Sequence, residues 1–385
     1  MKIPVPNILK NNKKFYYSVA ALAGTMVGVG VFGIPFSFAK AGFWVGLSFL
    51  IFTGLVTLII NLMYGEVVLR TQKKHQITGY AEKYLGNSYK KLMFFAMALT
   101  SYSALVIYVI IAGEFLNNIL SPFLYFQPAL YSWLFLIIMS FLVLAGIKRI
   151  SWIELVLAVL FCVVILAILF LGWPKIDFNN FSNINLEFWF LPYGIMLFAF
   201  AGFTAIPILR EILDNREILM RKAILSAVIL VAVLYFIFAF TVIGISGPVT
   251  SPDGISGLLQ FLGGTIVFWG SMFGILAVST SFLMVGTAFT EMFHFDYGIS
   301  WKQSWALAVL PPLILFFGGL RSFIDIMSLA GSVAVGIAGI VMALMHVKAK
   351  SRGDRIPEYD IEFPKSLYYL MILVFFAGIV YAILV

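Results

Sequence analysis

The stretch Gly24-Thr-Met-Val-Gly-Val-Gly-Val-Phe-Gly-Ile-Pro35 lies inside a long apolar run, yet it is poorly suited to an unbroken helix. Glycine costs a helix interior about 1 kcal/mol relative to alanine, and proline removes a backbone donor and clashes with the preceding turn. The backbone is therefore expected to open partway along this run. A second stretch, Phe198-Ala-Phe-Ala-Gly-Phe-Thr-Ala-Ile-Pro207, has the same form. In both, a glycine stands five positions before the proline: Gly30 before Pro35, and Gly202 before Pro207. Gly28 adds a further weak point to the first break.

The chain around these breaks has the composition of a bilayer protein. Of 385 residues, 62% are hydrophobic and 11% charged, whereas a soluble domain is roughly half apolar and about a quarter charged. A hydrocarbon core about 30 Å thick takes about 20 apolar residues per helical crossing. Breaking the apolar runs at charge, glycine and proline clusters gives eleven expected helices, at 15–39, 43–69, 91–119, 129–147, 150–172, 187–212, 220–246, 264–293, 302–318, 323–347 and 366–384. Residues 1–385 thus read as one polytopic membrane domain. The first run follows Lys10, Lys13 and Lys14 as a signal peptide would, but it is too long and is followed by further spans, so it reads as a retained helix. Cys162 is the only cysteine, which excludes intramolecular disulfides and cysteine-based metal sites. The net charge of +8 is spread over short loops rather than gathered on one domain, so nucleic acid is not indicated as a partner.

Lysine and arginine positions orient the chain, because cytoplasmic loops carry the excess. With the N-terminus inside and the C-terminus outside, all but Lys40, Lys175 and Arg321 of the 25 basic residues fall on the cytoplasmic side. The two breaks then sit in equivalent members of two five-helix halves, 15–172 and 187–347, with 366–384 as an extra helix. Five is odd, so the second half runs inverted relative to the first, as in many secondary transporters. Unwound backbone at membrane depth is tolerated only against protein or a watery cavity. A polar site between the first and sixth helices follows, in which helix-start amides can hold a carboxylate and freed carbonyls an ammonium group or a small cation. A zwitterionic amino acid matches that pair of ends. The competing reading is that the glycines, spaced as Gly24 and Gly28 are, only allow close helix packing.

The Gly24–Pro35 stretch resembles the first-helix signature of bacterial aromatic amino acid permeases, and Phe198–Pro207 resembles their sixth helix. The chain thereby looks like the amino acid/auxin permease branch of the amino acid, polyamine and organocation superfamily. The resemblance covers about the first ten spans. It implies an all-α LeuT-type fold of five plus five inverted helices with an eleventh added, and secondary active transport. It implies carboxylate-binding amides at Val29 and Gly30, an ammonium-binding carbonyl at Met26, and matching carbonyls at Leu197, Phe198 and Phe200. Phe200 and Phe203 would flank the substrate, with Tyr102, Ser103 and Ala104 as pocket wall. Family members often place polar or charged groups in the sixth-helix break, where this chain has Ala201 and Phe203.

The resemblance also implies a cation site of five neutral oxygens: the carbonyls of Gly24, Val27 and Ala277 and the hydroxyls of Thr280 and Ser281. Such a set suits a hard monovalent cation. The competing reading is that the hydroxyls bond back to their own helix. A proton-driven carrier usually keeps an ionisable group in the membrane. Here the candidates Glu66, Glu114, Glu154, Glu211, Glu291 and Asp325 all lie toward helix ends; Glu154 is the best placed, though close to Arg149, and Glu66 reads as an ordinary i,i+4 pair with Arg70. His75, His294 and His346 map to the cytoplasmic edge, which gives no support to a buried imidazole relay. The expected function is cation-coupled symport of neutral or aromatic amino acids by alternating access, with Na+ favoured over H+ and no other cofactor. The alternatives are a proton-coupled permease or an amino acid exchanger. A channel or receptor would need pore loops or an effector region, and an enzyme would need a buried nucleophile or metal ligands. The partners implied are the substrate and the lipid bilayer, with no obligatory protein partner.

Overall fold

The first apolar run folds as two helices, α1 (Asn7–Met26) and α2 (Gly30–Ala41), bent by 56° across the break between them. The computed structural model describes residues 7–121, 123, 124, 126–146 and 151–384, with side chains outside the description at 7–12, 151–158, 161, 295 and 296. The backbone turns at Gly42, whose φ of 99° disfavours any residue with a Cβ, and enters α3 (Phe43–Leu69). A helix absent from the sequence reading follows, α4 (Ile77–Leu85). It buries Ile77, Tyr80, Ala81 and Tyr84, a one-face stripe at helical spacing, between the long α5 (Asn87–Leu120) and the tenth span. The first half closes with α6 (Pro128–Leu144) and α7 (Ser151–Gly172).

The sixth run is broken in its turn. α8 (Leu191–Ala199) ends at Phe200–Gly202, a short 3-10 turn spans Phe203–Ala205, and α9 (Ile206–Leu213) resumes. Pro207 sits at the start of α9, where its missing N–H would be unpaired anyway. Pro35, by contrast, lies well inside α2, so the two prolines are not equivalent although their spacing to glycine is the same. Then come α10 (Met220–Ser246), a short α11 (Leu259–Leu262), α12 (Gly264–Tyr297) and α13 (Trp301–Phe317). The tenth run is α14 (Phe323–Leu329), a π-helical turn at Ala330–Val335 and α15 (Gly336–Arg352). α16 (Lys365–Leu384) ends the chain.

Among the described residues, seven helical segments are long and apolar enough to cross a membrane, and the bent α1–α2 pair makes an eighth. With α6, α7 and α13 these correspond one for one to the eleven apolar runs. The interruption of the tenth run was not expected. It packs on α8 at glycines: Gly331 and Gly194 face each other across the contact, and a Cβ on Gly194 would stand 2.5 Å from the Ser332 hydroxyl.

Candidate functional site

Two helix C-termini meet at the breaks. α1 stops at Met26 because Gly28 N–H turns back to the Met26 carbonyl at 2.8 Å instead of continuing the ladder. Before α2 takes up its own ladder, Val29 N–H has no backbone acceptor among the described residues. On the other chain segment, α8 stops at Ala199, and the next carbonyls close tight turns: Phe198 accepts from Ala201 N–H at 3.1 Å and Phe200 from Gly202 N–H at 2.7 Å.

The breaks clasp each other reciprocally. A Cβ on Gly30 would stand 2.6 Å from Ala199 Cα, and one on Gly202 would stand 2.6 Å from Met26 Cγ. Gly24 and Gly28 differ, since a Cβ on either would meet nothing within 4 Å. Gly30 and Gly202 are thus packing glycines, while Gly24 and Gly28 border open space.

Sequence reasoning missed the residue that joins the two ends. Tyr235 on α10 is fully buried, and its hydroxyl lies 2.7 Å from the Met26 carbonyl and 2.9 Å from the Ala199 carbonyl. Nothing local marks it, because it is one apolar-looking position in a hydrophobic helix. The carbonyl that the structure brings beside Met26 is therefore that of Ala199, whereas the carbonyls of Phe198 and Phe200 close local turns and that of Leu197, on the last turn of α8, has no backbone donor among the described residues.

The aromatic candidates separate. Phe200 is wholly enclosed, its ring 5.1 Å from that of Tyr235 and backed by Gly54 of α3; Phe198 and Phe203 are buried as well. Tyr102 is engaged elsewhere. Its ring packs edge-on against Phe289, and its hydroxyl donates to the Leu307 carbonyl at 2.9 Å. That carbonyl lacks its helical partner because Pro311, four residues on, has no N–H. Tyr102 thus caps a proline-broken turn of α13, while its neighbours Ser103 and Ala104 are buried on α5.

On α12, Ala277, Thr280 and Ser281 are part-exposed, as are Gly24 on α1 and Val27 just past its end. Thr280 donates to the Ala277 carbonyl at 3.0 Å and Ser279 to Ile275 at 2.6 Å, the back-bonding pattern weighed against a cation site. Ser281 lies beside the Tyr108 hydroxyl. The side chain of Glu154 lies outside the described residues.

The readings of one carboxylate and one histidine need correction. Glu66 keeps its i,i+4 pair with Arg70 but is no ordinary one. It is fully buried, with Arg70 Nε at 2.7 Å, the Ile361 N–H at 2.8 Å, His346 Nε2 at 3.0 Å and Lys350 Nζ at 3.7 Å. His346, expected at the cytoplasmic edge and outside any buried cluster, is also fully buried, with Nδ1 2.8 Å from the Tyr368 hydroxyl. The segment between α15 and α16 folds back over the end of α3 and encloses both. Glu114 and Asp325 instead line an open cavity of about 470 Å³ with Lys40, Asp253 and Arg321.

Comparison with known proteins fits this geometry. The Tryptophan/tyrosine permease family matches residues 11–385. The chain belongs to that family. This places it among permeases of the kind that its first helix resembles, though the match does not itself name the amino acid/auxin branch. As a tryptophan/tyrosine permease family member it is similar to "Tyrosine-specific transport system 1" of Haemophilus influenzae, at 23% identity over 88% of this chain and 89% of that protein. It is likewise similar to "Low affinity tryptophan permease" of Escherichia coli, at 23% identity over 88% of each, and to "Glutamine transporter 2" of Aliivibrio fischeri, at 20% identity over 89% of this chain and 90% of that protein. These relatives are named as transporters and permeases, not as enzymes.

Among solved structures, the fold is similar to MHP1, a nucleobase-cation-symport-1 family transporter in a closed conformation with bromovinylhydantoin bound, at a TM-score of 0.65 and 12% identity over 85% of this chain and 77% of that one. It is also similar to MhsT in complex with L-phenylalanine, at a TM-score of 0.61 and 17% identity over 95% of this chain and 96% of that one. The permease thus has the LeuT-type fold, with inverted five-helix halves and one further helix.

Proposed function

We propose that this permease carries neutral amino acids, aromatic ones foremost, across the membrane by alternating access in symport with a cation. The observation that carries the reading is the convergence of two helix C-termini on one point, the carbonyls of Met26 and Ala199, beside the start of α2. Each helix end contributes about half a unit charge, negative at the carbonyls and positive at the opening amides. A zwitterion bridges those ends, with its ammonium group on the carbonyls and its carboxylate toward Val29 and Gly30. Both features belong to every α-amino acid, which agrees with relatives named for tyrosine, tryptophan and glutamine. The helix one and six pair would rock against helices three, four, eight and nine.

Sodium is the favoured coupling ion. The residues assigned to the cation site are part-exposed, and their carbonyl and hydroxyl oxygens are neutral and hard, a type that suits it. Proton coupling is the second reading, favoured by the bond from Thr280 to Ala277, which already occupies one of those oxygens.

Uptake of labelled L-tyrosine, L-tryptophan and L-glutamine into proteoliposomes, under an imposed sodium or proton gradient, tests the proposal. Sodium-driven accumulation that is weakened by Thr280→Ala and by Ser281→Ala is the expected result. Accumulation driven by protons alone would make those hydroxyls structural. Absence of uptake under both gradients would refute the amino acid assignment.

A further inference from the structure

The hydroxyl of Tyr235 stands between the last carbonyls of two different half-helices, and it is the polar side-chain group that reaches both. One O–H carries one proton, and two carbonyls offer four lone pairs. The Met26 carbonyl also receives the Gly28 N–H, so when the single Tyr235 proton lies toward Ala199 one lone pair is left on each carbonyl. Two negative helix ends at such close range repel each other. A shared donor holds them together, and Tyr235 is set firmly enough to do so: the residue has no solvent exposure, and its ring packs against that of Phe200, inside the second break.

We propose that Tyr235 is a positioning residue for the substrate's ammonium group, holding the Met26 and Ala199 carbonyls at a common point so that one cationic group addresses both. This rests on the amino acid reading above. The role is specific to one end of the substrate. Loss of the hydroxyl lets the two carbonyls drift apart and weakens their grip on the ammonium group, while the amides at Val29 and Gly30, on the far side of the break, keep their place. A residue that merely stabilised the fold would weaken both ends alike.

The test compares L-tryptophan with indole-3-propionate, which keeps the ring and the carboxylate and lacks the ammonium group. Binding of both to purified wild-type protein and to Tyr235→Phe is measured, with thermal stability recorded alongside. The bond weakened in the variant is the one from the charged ammonium group to a carbonyl, and losing such a bond is worth about tenfold in affinity. The expected result is a roughly tenfold loss for L-tryptophan in the variant with indole-3-propionate unchanged, which narrows the ratio between the two ligands by the same factor. Tyr235→4-aminophenylalanine, which returns N–H donors to the same place in a ring of the same shape, should restore the ratio; it also supplies the measurement if Tyr235→Phe does not fold. An unchanged ratio in Tyr235→Phe, whether both affinities hold or both fall together, overturns the proposal. Failure of wild-type protein to bind L-tryptophan overturns the amino acid reading instead, and is recognised because it precedes any substitution.

Discussion

At the scale of single residues, glycines in the same sequence motif do different work. Gly30 lies against Ala199 so closely that an added Cβ would stand 2.6 Å from its Cα, a backbone atom that cannot turn aside. Gly28, two positions earlier, has nothing within 4 Å. Gly30→Ala is therefore expected to abolish uptake by forcing the two breaks apart, while Gly28→Ala keeps substantial activity; equal activity of the two variants would show that the clasp does not matter. Gly202 is the intermediate case, because the atoms it meets belong to the Met26 and Leu22 side chains, which can shift. Tyr102 teaches a related lesson. Its place on the third span was legible in the sequence, but its hydroxyl answers to a proline 209 positions later, and only the packed structure joins the two.

At the scale of elements, the segment linking α15 to α16 holds one end of the permease together. Asp360 binds Lys350 at 2.6 Å and Arg70 at 2.7 Å, and the Tyr359 hydroxyl donates to the Leu62 carbonyl at 2.8 Å. These bonds tie the linker to α3 and α15 around the buried Glu66. Lys350, then Arg70, hold the Asp360 carboxyl down at about 2, below its ordinary 3.8. A depressed carboxylate contributes stability that is present above the unfolded value and lost as pH falls through the folded one. The tether should therefore loosen as pH drops from about 4 to about 2. Because Asp360 is half-exposed, solvent screening keeps the effect local. Peptic cleavage within 353–364 should rise across that window in the wild type, and should already be high at its upper end in Asp360→Asn. A flat cleavage profile in the wild type would mean that other contacts hold the linker. The short amphipathic α4 was legible in principle, as its buried positions follow one helix face, but nine residues between charged loops give a weak periodic signal.

At the scale of the whole molecule, the basic residues propose an orientation that the packing does not decide: N-terminus inside, with the Asn-rich loop near Asn179 outside. Single cysteines placed in a Cys162→Ala background test it. A membrane-impermeant thiol reagent applied to intact cells should label Asn179→Cys, an exposed position, and should reach Lys73→Cys, also exposed, only after permeabilisation. The reverse pattern would invert the whole assignment, and with it the direction in which the cavity beside Lys40 and Arg321 opens.

The sequence alone determined the apolar runs, their number and the two breaks, because a bilayer demands about 20 apolar residues per crossing and glycine and proline act on the backbone locally. It could not show which carbonyl would meet which. Ala199 beside Met26, Tyr235 joining them, and Glu66 with His346 sealed beneath the linker are contacts between segments distant in the chain. In a protein whose spans are nearly all hydrophobic, every helix face looks alike until the packing assigns one face to lipid and another to a partner, and that assignment belongs to the tertiary structure.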